Sequence, residues 1–154
     1  MRRRLAWIAL TGIALLLLLA AWVVIGLPPR SAITELVLKN PGKTRLMLQR
    51  ETEAAARGRK SRAVVVWVPL SRVSRHLIHA VLAAEDQNFF GHGGVDWDAI
   101  QKSLEKDVEK RRFARGGSTI TQQLAKNLYF GTRKTIVRKL RELIVARWLE
   151  TDLS

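Results

Sequence analysis

Leu5 to Leu27 is a run of 23 residues without a charge. As a helix it measures about 34 Å, slightly more than the ~30 Å hydrocarbon layer of a bilayer. A cleaved signal peptide has a shorter apolar stretch followed by a small-x-small site. Here Trp22-Val23-Val24 stands where such a site would fall. The run therefore reads as a retained membrane anchor. Arg2, Arg3 and Arg4 precede it, so the N-terminus should stay in the cytoplasm and the remainder should cross. Pro28-Pro29 ends the span, because proline cannot continue a helix.

The anchor divides the chain into a tail at 1–4, a span at 5–27, a basic membrane-proximal linker at 28–62 and a domain at 63–154. The formal charge is +14, and the part beyond the anchor remains strongly basic. Such a domain attracts anionic headgroups and phosphorylated ligands. Nucleic acid is the poorer fit, since it would need the domain on the cytoplasmic side. There is no cysteine, which excludes thiol chemistry and disulfides.

The soluble part reads as mainly α. Residues 45–57 suit a polar helix. Ala63 to Val68 reads as a short buried strand or a segment dipping into headgroups. From Ser71 the pattern is helical, with Leu77, Ile78, Val81 and Leu82 on one face. Residues 87–96 form a glycine-containing loop, and 97–110 a solvated helix around Trp97, Ile100, Leu104 and Val108. Ser118 or Thr119 caps a helix to about Tyr129. A last helix spans about 133–150, with Ile136, Val137, Leu140, Leu143, Ile144 and Trp148 in one stripe.

Three segments hold the chemistry. Glu85 extends the apolar face of its helix if that helix reaches so far, and a carboxylate partly withdrawn from water is a stronger base near neutral pH. Asp86, Phe89, Phe90 and His92 follow it directly. Next, Gly116-Gly117 allows close backbone approach before a helix start whose free N–H groups favour anions. Thr119, Gln123, Lys126 and Asn127 recur on that helix at three- and four-residue steps and suit a sugar phosphate. Last, Arg138 and Lys139 lie four and three residues before Glu142, so one helix face can hold a carboxylate among cations. His76 and His79 read as packing or surface residues. No His, Cys or carboxylate cluster has metal-ligand spacing, and no Gly-x-Ser-x-Gly turn or phosphate loop occurs.

Taken in order, these segments resemble the peptidoglycan glycosyltransferases of family 51. Glu85-Asp86-Gln87-Asn88-Phe89-Phe90-Gly91-His92 is similar to the family's first motif. Gly116 to Asn127 is similar to its second, and Arg138 to Glu142 to its third. The lone anchor and Trp67-Val68-Pro69-Leu70 most resemble the monofunctional branch. The resemblance implies a lysozyme-like, mainly α glycosyltransferase domain at the outer face of the bacterial inner membrane. It implies polymerisation of lipid II, a disaccharide-peptide on undecaprenyl pyrophosphate, onto a growing glycan strand.

In that reading Glu85 is the base and Glu142 the second essential glutamate. Substrate contacts fall to Asp86, Phe89, His92, Ser118, Thr119, Gln122, Gln123, Lys126, Asn127, Arg138 and Lys139. No cofactor is required, although Glu142 leaves room for a divalent cation, Mg2+ or Mn2+. An anionic membrane surface is an expected partner, and cell-wall synthesis or division proteins are candidates. The family pattern continues beyond the third motif with a Lys-x-x-Ile-Leu-x-x-Tyr-Leu-Asn segment, and this sequence stops at Ser154 before it. The expectation is a C-terminally incomplete domain with Leu140, Leu143 and Trp148 partly uncovered. The alternative is a non-catalytic, membrane-anchored module that binds lipid II or division proteins.

Overall fold

A computed structural model describes residues 2–61, 63–110 and 117–153, with the side chains of 107, 108 and 110 excepted. Gly116 and the Val108 side chain therefore lie outside the described residues. Helix α1 (Arg2–Ile25) is the uncharged run with its basic start, and Val23 is its one buried residue among those described. It is long and apolar enough to cross a membrane. The chain then folds back through a single turn, α2 (Ser31–Thr34), and a 3-10 turn at Glu35–Val37.

Helix α3 (Arg45–Ala56) starts where Thr44 accepts a hydrogen bond from the Met47 N–H at 3.2 Å, the usual N-cap arrangement. Helix α4 (Arg75–Glu85) follows a 3-10 turn at Leu70–Arg72. Helix α5 (Trp97–Lys110) is capped by Asp96, whose Oδ1 accepts from Ala99 N at 2.8 Å. Helix α6 (Ile120–Ala125) is capped by Thr119 and widens into a π-helical turn at Lys126–Phe130, closed by the Gly131 N–H on the Lys126 carbonyl at 2.8 Å. Helix α7 (Ile136–Leu153) starts at Thr135, whose hydroxyl accepts from Arg138 N at 3.1 Å.

The fully buried centre is small: Ile33, Ala125, Val145 and Leu149, ringed by Leu27, Leu36, Leu128, Tyr129, Phe130 and Trp148. It joins α2, α6 with its wide turn, and α7. Within the segment expected as a linker, Ile33 is wholly buried in this centre and Leu36 packs against it. The Tyr129 hydroxyl donates to the Ala32 carbonyl at 3.1 Å on the same seam. Of the helix expected at 133–150, Val145 and Leu149 go to the centre, Trp148 is half-buried beside it, and Leu140 and Ile136 stay exposed.

Two expectations are corrected. Ala63–Val68 is neither a strand nor buried. It is extended and irregular, with Val64 and Val66 about four-fifths exposed, and no strand occurs among the described residues. A β-branched run makes a strand only where another strand accepts its hydrogen bonds, and none lies beside it. Helix α4 forms as expected, but no residue of it is buried, and Leu77 and Val81 are exposed.

Candidate active site

An open cleft of about 810 Å³ runs between the end of α4, the start of α5, the face of α6 and the first turns of α7. Glu85, Gln123, Lys126, Lys134 and Lys139 enter it, with Trp97 on its rim. A carboxylate and several ammonium groups thus share one concave, solvent-open space.

Glu85 is the last residue of α4. The helix reaches it, as the apolar pattern requires, but the residue is exposed rather than partly desolvated, because α4 lacks cover. Its Oε2 accepts a hydrogen bond from Gln123 Nε2 at 2.8 Å, which aims the carboxylate across the cleft towards α6.

The next residue turns the other way. Asp86 leaves the helix with an extended φ of −162° and is buried. One carboxylate oxygen meets His92 Nε2 at 2.9 Å, and the other accepts the Ile120 N–H at 3.0 Å, an N–H of the first turn of α6. Phe89 packs edge-on against the His92 ring, with centroids 6.2 Å apart. Asp86 therefore ties the first motif to the start of the second. The Ile120 N–H, which the bare helix start would offer to an anion, is already taken by this carboxylate.

The fold also brings Asp86, His92 and Asp96 together, with one donor atom of each within 4.8 Å of the others. Their spacing along the chain carries no metal-site pattern, since the three meet only through the loop's return. The carboxylate oxygens are committed to Ile120 N, His92, Ala99 N and, at 3.4 Å, Asn88 Nδ2. The arrangement is a hydrogen-bonded hub, and a cation there would displace its bonds. The Ala99 N–H and Asn88 amide hold Asp96 below the usual carboxylate range against the opposing effect of burial.

The second motif splits between wall and foundation. Thr119 is buried; its hydroxyl donates to the Gly94 carbonyl at 2.7 Å and accepts from Gln122 N at 3.1 Å. Gly94 lies at φ +83°, and a Cβ there would press on the Ala146 carbonyl at 2.9 Å, so this loop seats against α7 only as glycine. Gly117 makes the close approach expected of the Gly-Gly pair, since a Cβ there would come within 3.0 Å of Ser103 on α5. Gln122 is fully buried, and its Oε1 accepts from Lys139 Nζ at 2.9 Å, while its Nε2 has no partner among the described residues. Ser118 Oγ accepts from the same Nζ at 2.7 Å. Gln123 and Lys126 face the cleft. Asn127 is not among the cleft walls: the π-helical turn opens the 3.6-residue register on which its placement beside Gln123 relied.

The third motif forms as its spacing implies. Arg138 and Lys139 both pair with Glu142, the lysine at 3.7 Å, and the Glu142 side chain is 3% exposed. Arg138 also donates to the Arg133 carbonyl. Burial lowers the pKa of Arg138. Lys139 lies below the usual lysine range, first through burial and then through repulsion from Arg138 and Lys126. Arg138 and Lys139 thus share the one buried Glu142 carboxylate and Lys139 is repelled by Arg138 and Lys126, an arrangement with the charge to take up an anion.

Residues 50–154 match the family model described as Transglycosylase. The chain belongs to this transglycosylase family. Curated relatives named biosynthetic peptidoglycan transglycosylase agree. That of Dechloromonas aromatica is 47% identical over 111 residues, 72% of this chain and 48% of the relative. Those of Herminiimonas arsenicoxydans and Bordetella pertussis are 38% and 37% identical over 150 and 152 residues, 97% and 96% of this chain and 62% and 63% of the relatives. The chain spans about half to two thirds of the length of these relatives.

At this candidate site the sequence left three features unread. Lys134 stands in the cleft but lies between motifs and has no pattern around it. Asp96 anchors the hub, and its one signal was the position before the helix at 97, where Asp is a preferred cap. Thr121 donates to Glu150 at 2.6 Å, a link between α6 and α7 with no local signature.

Proposed function

We propose that this transglycosylase polymerises lipid II into glycan strands by direct, inverting transfer. The observation that carries the reading is the shared cleft, in which Glu85 is held by Gln123 opposite cations braced by Glu142. A sugar 4-hydroxyl is a poor nucleophile, so a base must remove its proton as it attacks C1 of the donor. Glu85 is an accessible carboxylate aimed into the cleft, and it takes this role. The departing pyrophosphate is already a stable anion and needs positive charge more than a proton. Lys139 and Lys126 supply that charge from the cleft wall, and Arg138 adds its own through the Glu142 cluster. One displacement turns an α-linked donor into a β-linked product.

In this reading Asp86, His92, Thr119 and Gln122 act from behind the cleft, as their burial and internal hydrogen bonds support. Gln122 and Ser118 aim Lys139, and Asp86 fixes the start of α6. Phe89 backs His92, and Gln123 orients the base. The basic N-terminal triplet and the apolar length of α1 support a single membrane crossing with the domain on the outer face of the inner membrane. Protease added to intact spheroplasts should cut the domain, and protection would reverse the topology.

The deciding experiment is lipid II in vesicles with the native chain and with Glu85→Gln. Polymer from the first and binding without polymer from the second support the proposal. Lipid II binding with no polymer from either chain favours a non-catalytic binding module.

A further inference from the structure

We infer that Arg141 is a positioning residue that clamps the end of the membrane helix through a slot at Gly26 and so sets the height of the cleft above the bilayer. The last carbonyls of any helix lack intrahelical partners. In α1 two of these are taken by one side chain from far along the sequence: Arg141 Nε donates to the Val23 carbonyl at 3.1 Å and Nη2 to the Trp22 carbonyl at 2.5 Å. The guanidinium charge also meets the negative end of the helix dipole.

Access to these carbonyls depends on Gly26. A Cβ at that position would overlap Arg141 Cζ, so any other residue expels the guanidinium. Val23, beside the joint, is the residue of α1 that the domain buries. A second arginine pins the chain just beyond. Arg30 grips Asp152 with two hydrogen bonds of 2.9 and 2.7 Å and lies over the Trp148 ring, 5.8 Å from its centroid. Both contacts end on α7, the helix that also bears Arg138, Lys139 and Glu142. The anchor is thus fastened to the helix that holds the proposed pyrophosphate site, and Leu27, directly after Gly26, packs against the core.

The functional consequence rests on the proposed lipid-linked substrate. The bilayer sets the depth of a pyrophosphate on a lipid, so a cleft held at one height and tilt meets it without a search. A loose anchor leaves the cleft intact but lets it wander, and small misplacement of reacting groups is costly. A water-soluble, short-tailed analogue has no fixed depth and should be insensitive to the joint.

The chain lacks cysteine, so spin labels can be placed freely. Labels at Leu10→Cys on α1 and Thr151→Cys on α7, with the full chain in nanodiscs, should give one narrow distance distribution. Arg141→Met and Gly26→Ala should each broaden it, while Arg141→Lys should restore part of the order. A distribution as narrow in both variants as in the native chain would overturn the clamp. Circular dichroism checks folding. Should Arg141→Met unfold, Gly26→Ala decides the matter, since it leaves the whole domain sequence in place.

For the consequence, the ratio of turnover on lipid II in vesicles to turnover on the short-tailed analogue should fall on the order of tenfold in Gly26→Ala. Equal loss on both substrates would refute the height argument. No turnover of either substrate by the native chain would refute the polymerase reading and leave the distance measurement to judge the clamp.

Discussion

Glu85 lines the cleft, whereas Glu142 lies buried behind its wall, and the two stand on different ground. Glu142 is buried in a helix that helps build the core, and two cations close on it. Glu85 ends a helix with no buried residue, and the amide of Gln123 is what holds it. The two halves of the site are thus prepared in different ways. The half that would receive an anion is assembled in advance, at the cost of crowding like charges. The half that would take a proton is open, and its orientation depends on a side-chain amide.

Substitutions at the two carboxylates should separate these halves. The largest effect is expected at Glu85. Glu85→Gln should lower polymerisation roughly 10²–10⁴-fold, as for loss of a general base, while unfolding free energy stays within about 0.5 kcal/mol. A large loss of stability would mean that Glu85 is a structural residue and erase the contrast. Glu142→Ala should do the reverse in stability. It leaves the partly exposed Arg138 and Lys139 without their buried counter-charge, at about 1–3 kcal/mol in chemical denaturation. A change under about 1 kcal/mol would show that the cations do not depend on it.

Asp86→Ala probes the seam between the halves. It strands the Ile120 N–H and His92, and should lower stability by about 1–3 kcal/mol, read as a fall in midpoint. An unchanged midpoint would mean that the two halves are joined elsewhere. Because the folded state lowers the pKa of Asp96 in the same hub, that residue's contribution is full above the ordinary Asp range and is lost as pH falls through the folded value.

The smallest effect is a titration. Lys139 is depressed in the fold, so its charge costs stability at neutral pH, and that cost fades as pH rises through the folded pKa towards the ordinary lysine value of 10.5. Inorganic pyrophosphate should relieve the repulsion and move the Lys139 pKa up, observable by NMR of its ε-methylene. An unchanged titration would detach Lys139 from the proposed leaving-group site.

Much of this was legible in the residues because local physics decided it. The helix at 97–110 follows from its apolar spacing, and the Arg138–Glu142 pair from a four-residue step on one helix. Thr119 acts as a cap as its type suggests. What could not be read depended on partners distant in sequence. Ile33 is one apolar residue in a mixed basic stretch without periodicity, yet it sits at the centre of the core. The Val64–Val68 run carries strand propensity, but no neighbouring strand exists among the described residues to complete it. The exposure of Glu85 turned on what covers α4, which a helical pattern cannot specify. Gln122 and Gln123 are neighbours of one type, and only the packing of α7 and α4 around them assigns one to the half-buried Lys139 and the other to Glu85.

The burial of Ile33 also limits where the protein can be trimmed. A soluble version beginning near residue 40 would lose the plug of its own interior, leaving a void among Ala125, Val145 and Leu149 and a bare Tyr129 hydroxyl. Detergent-free preparations should therefore retain the stretch from Leu27 onward, even though its sequence reads as a linker.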